Sequence, residues 1–323
     1  MIGVVGAGVV GSRVTDQLVS SGRAVSIFDH DPYRARRLAA LHSRNGDARV
    51  VDSLDELHGI ETVVIAVGTP HIAAATRMLE AGSHVVSCGD DLHDVEELLQ
   101  VNDRARELGR TVVVGAAASP GLTGLLVWHL RERFDEIDEA HVAMHGTGGP
   151  DCARQHHRAL SGQSMGWHDG EWLRRPGGSG RELCWFPEPV GSYDCYRSEM
   201  VDPLLLHRAM PNLQRVTARS SATRRDRFTS RLPMLTPPHA EGGMGAVRVE
   251  VRGFKGQARV VEVAGVAERV GQIAGVVAAA AALQIGSFDS GCQVLGANGV
   301  PNDKIYQAVT AAGIRVHRFV GSS

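Results

Sequence analysis

The chain has 323 residues, 43% of them hydrophobic and 22% charged, a globular composition with room for two domains and too apolar for a long disordered protein. Its 34 basic residues against 36 acidic ones leave a formal charge of −2, so overall charge gives no attraction to nucleic acid or an anionic membrane. Only Lys255 and Lys304 are lysines, which leaves little room for a lysine base, and five cysteines without C-x-x-C spacing argue against a disulfide framework.

Met1 opens an apolar run that meets Gly6, Gly8 and Gly11 at once, with no basic segment followed by a small-residue cleavage site, so no signal peptide is expected. The alanine-rich stretch 273–285 is shorter than the roughly 20 residues of a membrane span. The expectation is a cytoplasmic protein without a membrane or nucleic-acid partner.

Short β-branched runs then alternate with amphipathic segments. Strands are predicted at 2–5, 24–28, 49–51, 62–66, 84–87 and 111–114, and helices at 9–20, 32–41, 72–81 and 92–108, with a single turn at 54–57. That order predicts an α/β fold, a Rossmann-type doubly wound parallel sheet, over 1–119. A helix is expected to start at Pro120, with Ser119 as its cap. Residues 120–290 read as a second, α+β domain for substrate and dimer contacts, containing an antiparallel or mixed sheet. Its predicted elements are a strand at 140–144, a Gly-rich turn at 146–150, strands at 246–252 and 258–263, and a helix at 267–283. A last segment, 291–323, carries a helix at 303–312 and a strand at 314–319, and is expected to pack back on the first domain.

The strongest motif is Gly6-x-Gly8-x-x-Gly11, directly after a strand and opening a helix. Gly6 permits the tight turn, Gly8 admits a pyrophosphate close to the backbone, and Gly11 lets helix and strand pack closely. The first helical amides, at Val9 and Val10, then hold the diphosphate. Asp29 ends the second strand about 20 residues on, where a carboxylate accepts the ribose hydroxyls and repels a 2′-phosphate, which favours NAD. Arg34, Arg36 and Arg37 follow closely and keep NADP as the alternative. In such a sheet ligands collect outside the carboxyl ends of the strands. Val67, Gly68, Thr69, Cys88 and Gly89 are therefore predicted to border the cofactor, and Ser119, Pro120, Gly121 and Leu122 the substrate.

These residues resemble the saccharopine dehydrogenase-like oxidoreductases, lysine 6-dehydrogenase-type members included. The likeness rests on Gly6 to Gly11 with Asp29, on the run 81–86, and on 116–122, with looser similarity at 265–283 and 296–313. It implies an NAD(P)-dependent enzyme that oxidises an amine or reduces an imine of an amino-acid-like molecule. It further implies a second α+β domain, final helices that return to the first domain, and a homodimer. The near-absence of lysine departs from members that use an active-site lysine.

Hydride transfer needs a proton relay and a cation for the substrate carboxylate. His156 and His145 are the predicted acid–base groups, histidine being the side chain that exchanges protons near neutral pH. Arg154 and Arg224, with Arg219 and Arg225 behind them, are candidate carboxylate clamps, and Tyr193 and Tyr196 candidate hydrogen-bonding partners. A zinc site from Cys152, His156 and His157 is not expected, because adjacent helical side chains point about 100° apart. Two other readings compete: a sugar or polyol dehydrogenase, which usually carries Glu-Lys-Pro where this chain has Cys88-Gly89-Asp90, and a dinucleotide-binding sensor or partner protein without turnover.

Overall fold

A computed structural model describes residues 1–42, 47–234 and 236–319, so the last four residues of the predicted C-terminal segment lie outside it. The chain forms two compact units. The first comprises Met1–Ala117, Gly271–Leu295 and Gly299–Ala312; the second comprises Ala118–Val270, Gly296–Asn298 and the chain from Gly313 onward. These units differ from the segments drawn on the sequence, because the alanine-rich helix Val270–Leu283 falls almost wholly in the first unit and the tail is divided between the two.

In the first unit β1 (Ile2–Val5), α1 (Val9–Ser20), β2 (Val25–Phe28), α2 (Pro32–Leu41) and β3 (Ala48–Val50) alternate, followed by a single 3-10 turn at Leu54–Leu57. Next come β4 (Thr62–Ile65), α3 (Ile72–Glu80), β5 (His84–Ser87), α4 (Leu92–Gln100), α5 (Asn102–Glu107) and β6 (Thr111–Val113). All pair in parallel, in the order β6-β5-β4-β1-β2-β3. A seventh strand, Gly291–Gln293, not predicted from the sequence, pairs in parallel beside β6. Parallel strands buried on both faces read as continuous apolar runs, and Val63, Val64, Val85, Val86, Val112 and Val113 are all fully buried. The predicted helix 92–108 is two helices that meet at Val101.

The helix Val270–Leu283 belongs to this core because its side chains are small and apolar all round, the pattern of a buried helix. A Cβ on Gly275 would stand 2.4 Å from Cβ of Arg13 in α1, so glycine is what allows the two helices to approach.

In the second unit α6 (Leu122–Arg131), β7 (Glu136–His145), α7 (Pro150–Ala159), β8 (Gln163–His168), β9 (Glu171–Pro176), β10 (Glu182–Trp185) and β11 (Ser192–Arg197) follow one another. They lead to α8 (Asp202–Ala209), β12 (Arg215–Ser221), α9 (Arg224–Thr229), β13 (Met244–Lys255) and β14 (Ala258–Arg269). The sheet is mixed: β7 lies between its parallel neighbour β12 and its antiparallel neighbour β13, and the hairpin β8–β9 joins at β12. The strand His317–Phe319 closes the far edge on β14.

Alternation along β13 explains its burial. Val247, Val249 and Val251 are fully buried, and α6 packs on this part of the sheet. Arg248, Glu250 and Arg252 point the other way and pair laterally, at 2.6 Å for both Arg248–Glu250 and Arg252–Glu250. The fold is therefore α/β, a Rossmann sheet with a second domain built on a mixed sheet, as the sequence indicates. Several boundaries move: β7 starts at Glu136 and not 140, β13 runs from Met244 to Lys255, and the last strand starts at His317 and not 314. β14 continues to Arg269, so the following helix starts at Val270 and not 267, and α6 starts at Leu122 and not Pro120.

Candidate functional site

The turn after β1 is dictated by its glycines. The Gly6 N–H donates to Phe28 O at 2.7 Å, and its φ of +109° is one that L side chains avoid. A Cβ there would lie 2.4 Å from Ala66 O, and one on Gly11 would lie 1.9 Å from Gly6 O. Gly8 differs: a Cβ there would meet nothing within 4 Å. It is also the N-cap of α1, a helix whose first turn has no side-chain cap and no acidic residue. The leading amides at Val9, Val10 and Gly11 and the positive end of the helix dipole thus face a space beside Gly8 that a side chain would fill. These features fit an anionic diphosphate.

Asp29, nearly buried at the end of β2, braces this turn. Its Oδ2 accepts the Ala7 N–H at 2.6 Å, its Oδ1 accepts the Asp31 N–H at 2.8 Å, and the His30 ring nitrogen lies 3.2 Å from Oδ1. A carboxylate has about four acceptor sites, so capacity is left for ribose hydroxyls. Arg34 pairs with Asp31 at 3.3 Å, and Arg36 and Arg37 lie exposed on α2. Replacing Asp29 with serine is expected to weaken NADH binding about tenfold and to narrow any preference over NADPH. Titration with both nucleotides measures this.

Of the other predicted cofactor contacts, Val67 and Gly68 are exposed just beyond β4, Thr69 and Cys88 are half-buried, and Gly89 is buried. Burial, with the Asp90 carboxylate adding to it, pushes the Cys88 thiol up to about 12, so it stays protonated and unreactive at neutral pH. Beneath these two loops lies a fully buried cluster, His71, Ser87 and Asp94, that the sequence does not predict. No linear motif marks it, since its bonds span 16 and 23 residues.

In the second unit the residues predicted for substrate, Ser119 to Leu122, are all buried. Ser119 does not cap α6. Gly121, with φ +117°, is the N-cap, and the Ser119 hydroxyl donates instead to Asp202 Oδ2 at 2.7 Å. The Thr123 hydroxyl donates to Asp202 Oδ1 at 2.8 Å, so the turn is clamped by a buried carboxylate 83 residues away. Asp202→Ala would strand both hydroxyls and is expected to cost about 2 kcal/mol, measurable by urea unfolding at unchanged slope.

The geometry brings His145 and Tyr193 together. His145 ends β7 with its Nδ1 2.8 Å from Ser221 Oγ, and its ring lies 3.9 Å from that of Tyr193 between centroids. Burial holds its pKa below the usual histidine value. His156 lies half-buried on α7, a ring nitrogen within 4.8 Å of Cys152 Sγ, as expected for residues four apart on one helix face. His157 is turned elsewhere and donates to Thr229 O at 3.0 Å.

The arginines depart from expectation. Arg154 is exposed and forms a 2.7 Å pair with Asp151, one turn away on the same helix. Arg224 is exposed at the start of α9, and Arg219 pairs with Glu182 at 2.6 Å. Tyr196 is buried, with the Arg227 guanidinium 4.2 Å from its ring. Among the described residues no helix is long and apolar enough to cross a membrane.

Comparison with known proteins agrees with this geometry at the level of fold. Residues 2–87 match the TrkA-N domain. A probable dehydrogenase from Thermotoga maritima is similar over 96% of this chain and 94% of its own, with a TM-score of 0.51 and 11% identity. An engineered D-amino acid dehydrogenase bound to NADP+ is similar over 91% of this chain and 92% of its own, with a TM-score of 0.50 and 14% identity. These matches do not single out the saccharopine dehydrogenase-like family to which the sequence motifs were assigned.

Proposed function

We propose that the chain is an NAD(P)-dependent oxidoreductase that oxidises an amine, or reduces an imine, of an amino-acid-like small molecule. The observation that carries this reading is the uncapped start of α1 beside Gly8, braced by Asp29. A nicotinamide cofactor, when bound, would supply the hydride acceptor or donor. The chain's own residues have three tasks. The amides of Val9, Val10 and Gly11 bind the diphosphate, Asp29 orients the adenosine ribose, and the imidazole of His145 moves the proton that accompanies the hydride.

The His145 environment supports that last task. In the tautomer whose Nδ1–H donates to Ser221 Oγ, Nε2 is the nitrogen able to take a proton, and burial keeps the ring neutral at pH 7. Tyr193, against the same ring, is the proposed hydrogen-bonding partner, and His156 the second acid–base candidate. Cys88-Gly89-Asp90 supplies no lysine of the kind a sugar or polyol dehydrogenase carries at this strand end, which favours the carbon–nitrogen reading.

The test is absorbance at 340 nm with each nicotinamide nucleotide and a panel of amino acids, amines and cyclic imines. Turnover with a carbon–nitrogen substrate is the expected result. Turnover on polyols only would overturn the substrate class, and nucleotide binding without hydride exchange on any substrate would favour the sensor reading.

A further inference from the structure

One buried imidazole ties together the loops that follow β4 and β5. The His71 Nε2 lies 3.0 Å from Val67 O, and its Nδ1 lies 2.8 Å from Ser87 Oγ. Ser87 Oγ in turn accepts the Gly89 N–H at 3.1 Å. A carbonyl can only accept, so Nε2 carries the proton, Nδ1 accepts from the Ser87 hydroxyl, and every polar atom in the chain has one defined role. The imidazole is fully buried, which holds it neutral against the opposing pull of Val67 O, Asp94 and Asp90.

The cluster is anchored from below. Asp94, 2% exposed, accepts the His71 N–H at 2.8 Å and the Ile72 N–H at 3.0 Å. Gly89 is pressed against the same atoms: a Cβ there would lie 3.1 Å from Ser87 Oγ, 3.2 Å from Asp94 Oδ2 and 3.3 Å from His71 Nδ1. Val67 and Gly68 are exposed directly above.

Resting on the cofactor reading above, we propose that His71 and Ser87 are positioning residues for the nicotinamide half of the dinucleotide. They lock the Val67 carbonyl and the Gly89 amide into a single surface at the carboxyl ends of β4 and β5. The adenosine half depends on a different set of groups, the Gly6–Gly11 turn and Asp29; the Val67 side chain packs beside Gly6, while the cluster holds its carbonyl. Loss of the Ser87 hydroxyl unties Gly89 from His71 and lets the two loops move apart, while the turn after β1 stays as it is.

That separation defines the experiment. Ser87→Ala is titrated with NADH and with ADP-ribose, which lacks the nicotinamide, and compared with the unaltered chain. NADH binding is expected to weaken about tenfold, with ADP-ribose binding changed by less than about twofold. Equal loss for both ligands, or loss for neither, would overturn the assignment. Ser87→Thr, which keeps the hydroxyl, is expected to restore most of the difference.

If Ser87→Ala does not fold, imidazole nitrogen shifts of the unaltered chain serve the same end. NADH should move the His71 signals and ADP-ribose should not, and equal movement with both would contradict the proposal. An unaltered chain that binds ADP-ribose but shows no NADH-specific effect would sink this assignment alone. A chain that binds neither nucleotide would sink the cofactor reading, and this assignment with it.

Discussion

Gly8→Val is expected to leave the protein folded and to abolish cofactor binding. The Gly8 backbone, at φ −79° and ψ −160°, is extended and open to any residue, and a Cβ there touches nothing, so stability should change by no more than about 0.5 kcal/mol. The same side chain would occupy the space beside the leading amides of α1. Nucleotide affinity should then fall at least about 100-fold, equivalent to ~2.7 kcal/mol.

Gly11→Ala is the informative contrast. Alanine gains about 1 kcal/mol of helix propensity over glycine, but its methyl would stand 1.9 Å from Gly6 O, and that overlap must be relieved by moving backbone. Overpacking of this kind costs roughly 1–3 kcal/mol or more, so the overlap wins and the variant is expected to be less stable. Thermal unfolding of the two variants without nucleotide separates the roles. The expected outcome is that Gly8 proves to be glycine for a ligand's sake and Gly11 for the fold's.

His145→Asn is expected to lower kcat/KM by about 10² to 10⁴ on whichever carbon–nitrogen substrate proves active, the range for loss of a positioned acid–base group. The pH dependence identifies the group. Burial depresses the His145 pKa below the ordinary value of 6.5, so the neutral base persists at pH 6.5 and activity should fall only at more acidic pH. That acidic limb should vanish in the variant. A limb that survives His145→Asn and disappears in His156→Asn would transfer the role to His156.

Legibility followed the distance over which each feature is determined. α1 and α2 and the strands β1 and β5 coincide with their predicted limits, because β-branched runs, an apolar helical period and glycine punctuation are all local. The strand Gly291–Gln293 carries no such signal. It is a strand only because β6 offers it an edge, with the Val114 N–H reaching Gln293 O at 2.9 Å. The hairpin β8–β9 was missed for a different reason. β9 is largely charged and exposed and β8 alternates only at Met165 and Trp167, although the Asp169-Gly170 turn, with φ of +47° and +93°, is a local hairpin signal.

The site divides in the same way. Gly6, Gly8, Gly11 and Asp29 stand out in the sequence because a fixed spacing encodes the turn, whereas the bond from the Ala7 N–H to Asp29 is visible only in the fold. Asp202 was not, since its partners Ser119 and Thr123 are about 80 residues away and only folding unites them. Arg154 shows the opposite error. Its residue type suits a carboxylate clamp, but three residues upstream Asp151 already supplies the carboxylate.

The central claim is that the uncapped start of α1 beside Gly8 is a dinucleotide site. Isothermal titration of the unaltered chain and of Gly8→Val with NADH tests it most directly. One nucleotide bound per unaltered chain and none bound by a folded Gly8→Val is the predicted result. Absence of binding to the unaltered chain, or equal binding by both proteins, would contradict it.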